Sequence, residues 1–196
     1  RKTTDGKEGD ERQLKIVLKV LADVGLMGLP NVGKSSILAA VSMAKPKIAN
    51  YAFTTIHPNL GVVLISDYEK FVVADIPGLI KGASTGAGLG IQFLKHISRT
   101  KLLLHVIDVS VNDVDKIFED VNIISNELKD YDDELHKKDK WYVFNKIDLL
   151  SSKQLEILKR SINAKINNNI FFVSAKDSSG LKKLCNDIIE YLREKI

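Results

Sequence analysis

An α/β fold is predicted for this chain: a three-layer arrangement in which a doubly wound, mostly parallel six-stranded sheet carries helices on both faces. Two observations predict it. Six short apolar runs of strand character alternate with helical patterns along 196 residues, and strands interleaved with helices form parallel sheets covered on both sides. In addition, the loop after the first core strand, from Gly28 to Ser35, has the glycine spacing of a phosphate cradle, which needs a strand before it and a helix after it.

Residues 1–13 are polar and lack apolar periodicity, as in a tail or linker. From Leu14 to Val20 apolar residues alternate with Lys15 and Lys19, a strand with one wet face, and the run passes into Ala22–Met27 without a turn signal. That marks a join between two domains. Strands are then expected at Val24–Met27, Leu60–Ile65, Phe71–Ala74, Leu102–Ile107, Trp141–Phe144 and Ile170–Val173. Helices are expected at Lys34–Met43, Ile91–Arg99, Val114–Tyr131, Ser152–Ala164 and Leu181–Glu194. Leu181, Leu184, Cys185, Ile188, Ile189 and Leu192 share one face of the last helix, so Cys185 reads as a small core residue rather than a reactive thiol.

Composition sets the outer bounds. With 44% hydrophobic and 28% charged residues the chain can bury a core, which excludes a mainly disordered protein. The single cysteine cannot form an internal disulfide, so a stapled secreted scaffold is excluded and a cytoplasmic setting is expected. No apolar run approaches the roughly 18–20 residues of a membrane span. A net charge of +4 allows a nucleic-acid partner without showing one, since basic and acidic residues are interleaved. His57, His96, His105 and His136 have no metal-ligand spacing. His105 reads as a core residue within a strand, His136 as solvated, and the run Lys137–Lys138–Asp139–Lys140 as a solvated loop.

In open parallel sheets ligands sit beyond the carboxyl ends of the strands, so the loops there carry the chemistry. The first, Gly28-Leu29-Pro30-Asn31-Val32-Gly33-Lys34-Ser35, fits the phosphate-loop pattern of P-loop NTPases, with Ser36 following in the helix. Its backbone N–H groups and the helix dipole would face phosphate oxygens, Lys34 would neutralise them, and Ser35 would bind Mg²⁺. The strand ending at Ala74 runs into Asp75-Ile76-Pro77-Gly78: Asp75 would hold Mg²⁺ through water, and the Gly78 N–H would sense the γ-phosphate. Residues 78–90 hold five of the 12 glycines, the composition of a switch segment rather than a helix. Upstream, Phe53, Thr54 and Thr55 lie between these motifs. Thr55, with Thr54 as the alternative, would complete the metal shell. The catalytic set is Lys34, Thr55 and Gly78.

Base recognition is expected at Asn145-Lys146-Ile147-Asp148. The Asp148 carboxylate can accept from both N1–H and the 2-amino group of guanine, a donor pair adenine lacks. Lys146 would lie over the base or ribose, Asn145 would brace the neighbouring loops, and Ser174-Ala175-Lys176 would complete the pocket, with the Ala175 N–H near O6. Together these predict a Mg²⁺-dependent hydrolysis of GTP to GDP and phosphate in a molecular switch.

The segments KPKIANYAFTTIHPNLGVV and ADIPGLIKGASTGAGLGIQFLKHISRTKLLLHVIDVS are more specific than these motifs, and through them the chain resembles the Obg family of GTPases from about Leu14 onward. LKIVLKVLADVGLMG resembles the seam between that family's glycine-rich N-terminal domain and its GTPase domain. The resemblance implies a boundary with 1–20 as linker and remnant of an N-terminal domain and 21–196 as the GTP-binding domain. It also implies a monomer whose partners are GTP and GDP, the large ribosomal subunit and a stress nucleotide. Leu79 follows Gly78 where Ras-like proteins place the glutamine that orients water, so slow unassisted turnover is expected, and a guanine-nucleotide sensor with negligible turnover is the alternative. Asn31 stands where potassium-activated GTPases help to hold K⁺; it reads equally as a tolerant turn residue.

Overall fold

A computed structural model describes residues 22–48, 59–75, 100–131 and 133–195. Seven strands form one sheet: β1 (Val24–Met27), β2 (Lys47–Ile48), β3 (Asn59–Ser66), β4 (Glu69–Asp75), β5 (Leu102–Asp108), β6 (Lys140–Asn145) and β7 (Ile170–Phe172), in the order β2-β3-β4-β1-β5-β6-β7. β4, β1, β5, β6 and β7 run parallel, while β3 is antiparallel to both β4 and β2. The six strands expected from the sequence are present, and β2 adds a two-residue edge. Because five strands run the same way, the carboxyl ends of β1, β4, β5, β6 and β7 all lie on one rim of the sheet.

The helices are α1 (Lys34–Val41), α2 (Val114–Tyr131), α3 (Asp133–Lys137), α4 (Ser152–Lys165) and α5 (Leu181–Glu194). Alternation along the strands feeds two cores, as a pleated sheet requires. Val24, Leu26, Leu102, Leu104, Val106, Trp141, Val143 and Phe171 meet α1 and the apolar stripe of α5, which includes Leu184, Cys185 and Ile188. Ile107 and Phe144 point to the other face, against Ile117 and Val121 of α2 and Leu158 and Ile162 of α4. Trp141 stacks on Phe171 and meets Tyr191 edge-on, both at 5.4 Å between centroids, which ties α5 to the far strands. Each fully buried aliphatic or aromatic side chain contributes about 1.5–3 kcal/mol, so the two-sided covering secures the rim from which the loops project.

Several details correct the sequence reading. α1 stops at Val41 rather than Met43, because the Ser42 hydroxyl donates to the Leu38 carbonyl at 2.6 Å and the Met43 N–H leaves the helix to donate to the Val62 carbonyl at 3.0 Å. The expected solvated loop at Lys137–Lys140 instead joins α3 to β6 with two half-buried lysines. Lys138 donates to the Thr100 carbonyl and Lys140 donates to the His136 carbonyl at 2.7 Å. His136 is half-buried on α3, with Nδ1 enclosed, rather than solvated. His105 is a core residue as expected, 2% exposed and 5.6 Å from the Tyr142 ring. The expected helix at 91–99 and the strand at 14–20 lie outside the described residues.

Candidate nucleotide-binding site

β1 ends at Met27 and the chain turns through Gly28 to Gly33 into α1. Two glycines are required here by contact as well as by backbone. A Cβ on Gly28 would lie 2.3 Å from the Val106 carbonyl oxygen, and one on Gly33, at φ +97°, would lie 2.3 Å from Asn145 Nδ2. Asn31 is also left-handed at φ 63°, a conformation asparagine tolerates better than most residues, which gives it a backbone reason to be there. Leu29 packs partly against the core, Val32 is buried within it, and Pro30 is exposed at the loop tip. Lys34 curls back over the loop, its ammonium donating to the carbonyls of Gly28 and Leu29 at 2.9 Å each. Burial holds the Lys34 ammonium below its ordinary pKa, with the charge of Asp75 opposing.

Asp75 closes β4 beside this loop and is 3% exposed. Its Oδ2 accepts from the Ser35 hydroxyl, whereas its Oδ1 is buried without a hydrogen-bond partner among the described residues. An unsatisfied carboxylate oxygen next to a serine hydroxyl is a hard oxygen pair suited to Mg²⁺. That ion keeps several waters and phosphate oxygens and so needs no larger protein cage. No group of three or more His, Cys, Asp or Glu is placed to hold a metal among the described residues.

Asn145, at the end of β6 and 1% exposed, joins the two halves of the site. Its amide donates to the Val32 carbonyl at 2.9 Å and its carbonyl oxygen accepts from the Ala175 N–H at 3.1 Å. Lys146 follows in a left-handed conformation, φ 70°, and leads into a single 3₁₀ turn, Ile147–Leu149, that carries Asp148. The fully buried Ser174 donates through its hydroxyl to Asp148 Oδ1 at 2.7 Å, which orients the carboxylate. A cavity of about 260 Å³ opens between these loops, lined by Gly33, Ser36, Asn145, Lys146, Asp148, Leu149, Ala175 and Lys176. That is slightly below the roughly 300–1,000 Å³ of a site for a whole small ligand, as befits one part of a ligand.

The residues Gly28 to Ser36, Asp75, Asn145, Lys146, Asp148, Ser174, Ala175 and Lys176 are thus brought to one rim. Phe53, Thr54, Thr55, Ile76, Pro77, Gly78 and Leu79 lie outside the described residues. Two residues at the site escaped the sequence reading. Leu149 lines the cavity, and Asp108, last in β5, contacts Lys146. A carboxylate at the carboxyl end of a parallel strand was the available signal for Asp108.

Fold and loops together define a P-loop nucleotide-binding domain. Residues 23–146 match the model of the 50S ribosome-binding GTPase family, and the chain belongs to that family. It is also similar to GTPase Obg of Buchnera aphidicola subsp. Acyrthosiphon pisum (strain Tuc7), at 48% identity over 99% of this chain and 59% of that protein. The resemblance to the Obg family drawn from the sequence is thereby borne out. The chain spans about 59% of the length of the curated relatives it matches. Among solved structures, Era from Aquifex aeolicus bound to GDP and AlF4⁻ is similar at 26% identity, with a TM-score of 0.63 over 89% of this chain and 57% of that one. The G domain of the T. maritima FeoB iron transporter shares the fold at 20% identity, with a TM-score of 0.61 over 86% of this chain and 97% of that one. No helix among the described residues is long and apolar enough to cross a membrane.

Proposed function

We propose that this chain binds GTP and GDP and hydrolyses GTP with water to GDP and phosphate, working as a molecular switch. The observation that carries this reading is the Asn145 side chain, which links the phosphate loop through Val32 to the base loop through Ala175. One ligand reaching from one loop to the other is thereby favoured: phosphates at one end and a purine at the other. Guanine is assigned because the cavity presents a carboxylate, Asp148, oriented by Ser174 and able to accept two N–H donors.

When bound, Mg²⁺ supplies charge neutralisation at the phosphate oxygens. Ser35, Thr55 and, through water, Asp75 are the residues assigned to hold it. Lys34 is assigned to the β- and γ-phosphates. Its ammonium already lies over the loop carbonyls, so little reorganisation is needed to place the charge. The backbone N–H groups of 28–36, Pro30 excepted, are assigned to phosphate, and Gly78, with Phe53, Thr54, Ile76 and Pro77 beside the switch segments, is assigned to sense the γ-phosphate. Residues 21–196 would form the GTP-binding domain and 1–20 the passage from a neighbouring one. The family's description favours the large ribosomal subunit as partner. A monomer and a cytoplasmic setting, the latter expected from the single cysteine, belong to the same reading, and the resemblance adds a stress nucleotide as a further ligand. Leu79 favours a second reading, a guanine-nucleotide sensor that scarcely turns over.

The test is binding of labelled GDP, GTP and ATP, followed by single-turnover phosphate release with and without large ribosomal subunits. Guanine-selective binding, and release that Ser35→Ala abolishes, are expected. Guanine binding with no release under any condition establishes the sensor instead, and equal affinity for ATP overturns the base assignment. Running the same assay in K⁺ and in Na⁺ at equal ionic strength decides the role of Asn31. Equal rates leave it as a turn residue only.

A further inference from the structure

β5 delivers a carboxylate to the rim that belongs to none of the nucleotide motifs. Asp108 closes the strand and stands in register with Asn145 on β6. Its Oδ2 accepts from the Lys146 ammonium at 2.5 Å, and its Oδ1 accepts from the Ser110 N–H at 2.8 Å. Both partners are shielded, with the side chains of Lys146 and Asp108 31% and 19% exposed. Burial pushes the Asp108 carboxyl up, but hydrogen bonds from Lys146 and Ser110 and the Lys146 charge outweigh it and hold the group below its usual range.

Lys146 is held at both ends by this arrangement. Its backbone is left-handed, a conformation that is uncommon outside glycine, and its ammonium is fixed by Asp108. Lys146 lines the base cavity, and Asp108 is not one of its lining residues. A lysine side chain free in solution samples many rotamers, and ordering it on binding costs affinity. Pinned in advance, the stem gives the base a ready-made wall.

We propose that Asp108 is a positioning residue for nucleotide binding, acting through Lys146 to hold one wall of the base cavity. This rests on the reading of that cavity as the guanine site. Asp108→Asn isolates the effect, because its carbonyl oxygen still accepts from Ser110 while its amide turns a donor toward the ammonium. Losing one pre-ordered side chain corresponds to about a 2- to 10-fold rise in Kd.

The experiment measures Kd for fluorescent GDP and a GTP analogue on the full chain and its variants, with GDP and IDP in competition. Asp108→Asn is expected to weaken GDP and GTP binding equally, about 2- to 10-fold. The GDP-to-IDP preference should be unchanged, since the 2-amino group is read by Asp148. Asp108→Glu, which restores the carboxylate, should recover most of the affinity even if the asparagine variant folds poorly. In a Lys146→Met background, Asp108→Asn should have no further effect. Unchanged affinity in Asp108→Asn, an effect of the same size in the Lys146→Met background, or no recovery in Asp108→Glu overturns the positioning role. If the parent chain binds no guanine nucleotide at all, the guanine reading fails first, and the role of Asp108 with it.

Discussion

Replacing Gly33 by alanine tests whether the phosphate loop and the base loop act as one unit. Gly33 has φ +97°, and an added Cβ would lie 2.3 Å from Asn145 Nδ2, well inside van der Waals contact. The left-handed backbone costs a residue with a Cβ about 1–2 kcal/mol. Moving the Asn145 amide off the Val32 carbonyl leaves a buried polar group unpaired, at about 1–3 kcal/mol. The sum centres near about 3.5 kcal/mol, which for a domain of this size lowers Tm by roughly 7–14 °C. Because Asn145 also accepts from the Ala175 N–H, the displacement reaches the base loop, so GDP affinity should fall at least about tenfold. The check is calorimetric unfolding with and without GDP, together with a GDP titration. A second background sharpens it. In Asn145→Ala the obstructing amide is absent, so Gly33→Ala should there cost only the backbone part, about 1–2 kcal/mol. A Tm within a degree or two of the parent, or an equal cost in both backgrounds, refutes the coupling through Asn145.

Two further outcomes follow from the same geometry. In Asp148→Asn, the Ser174 hydroxyl that donates to Oδ1 keeps the new carbonyl oxygen and turns the amide toward the base. Guanine binding should weaken by about 2–4 kcal/mol, roughly 30- to 700-fold, while xanthine nucleotides gain; GDP and XDP competition checks this, and a retained guanine preference refutes the assignment. His105 is held near a pKa of about 3, by burial first and then by the charges of Lys140 and Lys34. Its folded value lies below the ordinary one of about 6.5, so it stays neutral in the fold while the unfolded chain takes up a proton. The stability it allows is therefore full above pH 6.5 and falls as the pH drops toward 3, a loss of about 2 kcal/mol between pH 7.5 and 5. Urea unfolding at those two pH values should show a smaller loss for His105→Gln than for the parent, and equal losses sink the assignment.

Much of this architecture could be read along the chain. Runs such as Leu102–Ile107 and Trp141–Phe144 are short, apolar and bounded by polar residues, and they pair side by side as β5 and β6. The stripe through Leu181, Leu184, Cys185, Ile188 and Leu192 is buried as its spacing required. The elements that were not legible are short and locally driven. α3 spans five residues, Asp133–Lys137, too few for a periodicity, and β2 spans two, Lys47–Ile48, paired with β3. The end of α1 depends on the Met43 N–H finding the Val62 carbonyl, a partner from another element.

Among the described residues, the order of residues was enough to establish the longer strands and helices and the loops with their glycines, lysines and carboxylates, because periodicity and turn chemistry are local. Which of those loops share one cavity was decided by the sheet. Val32 and Asn145 are 113 positions apart, yet the order β4-β1-β5-β6-β7 sets their loops on one rim and closes a hydrogen bond of 2.9 Å between them. Asp108 shows the same division: as a letter in the sequence it is one acid among 25 Asp and Glu, and only the pairing of β5 with β6 places it on Lys146. Contacts of that kind follow from strand order and register, which no short stretch of the chain encodes.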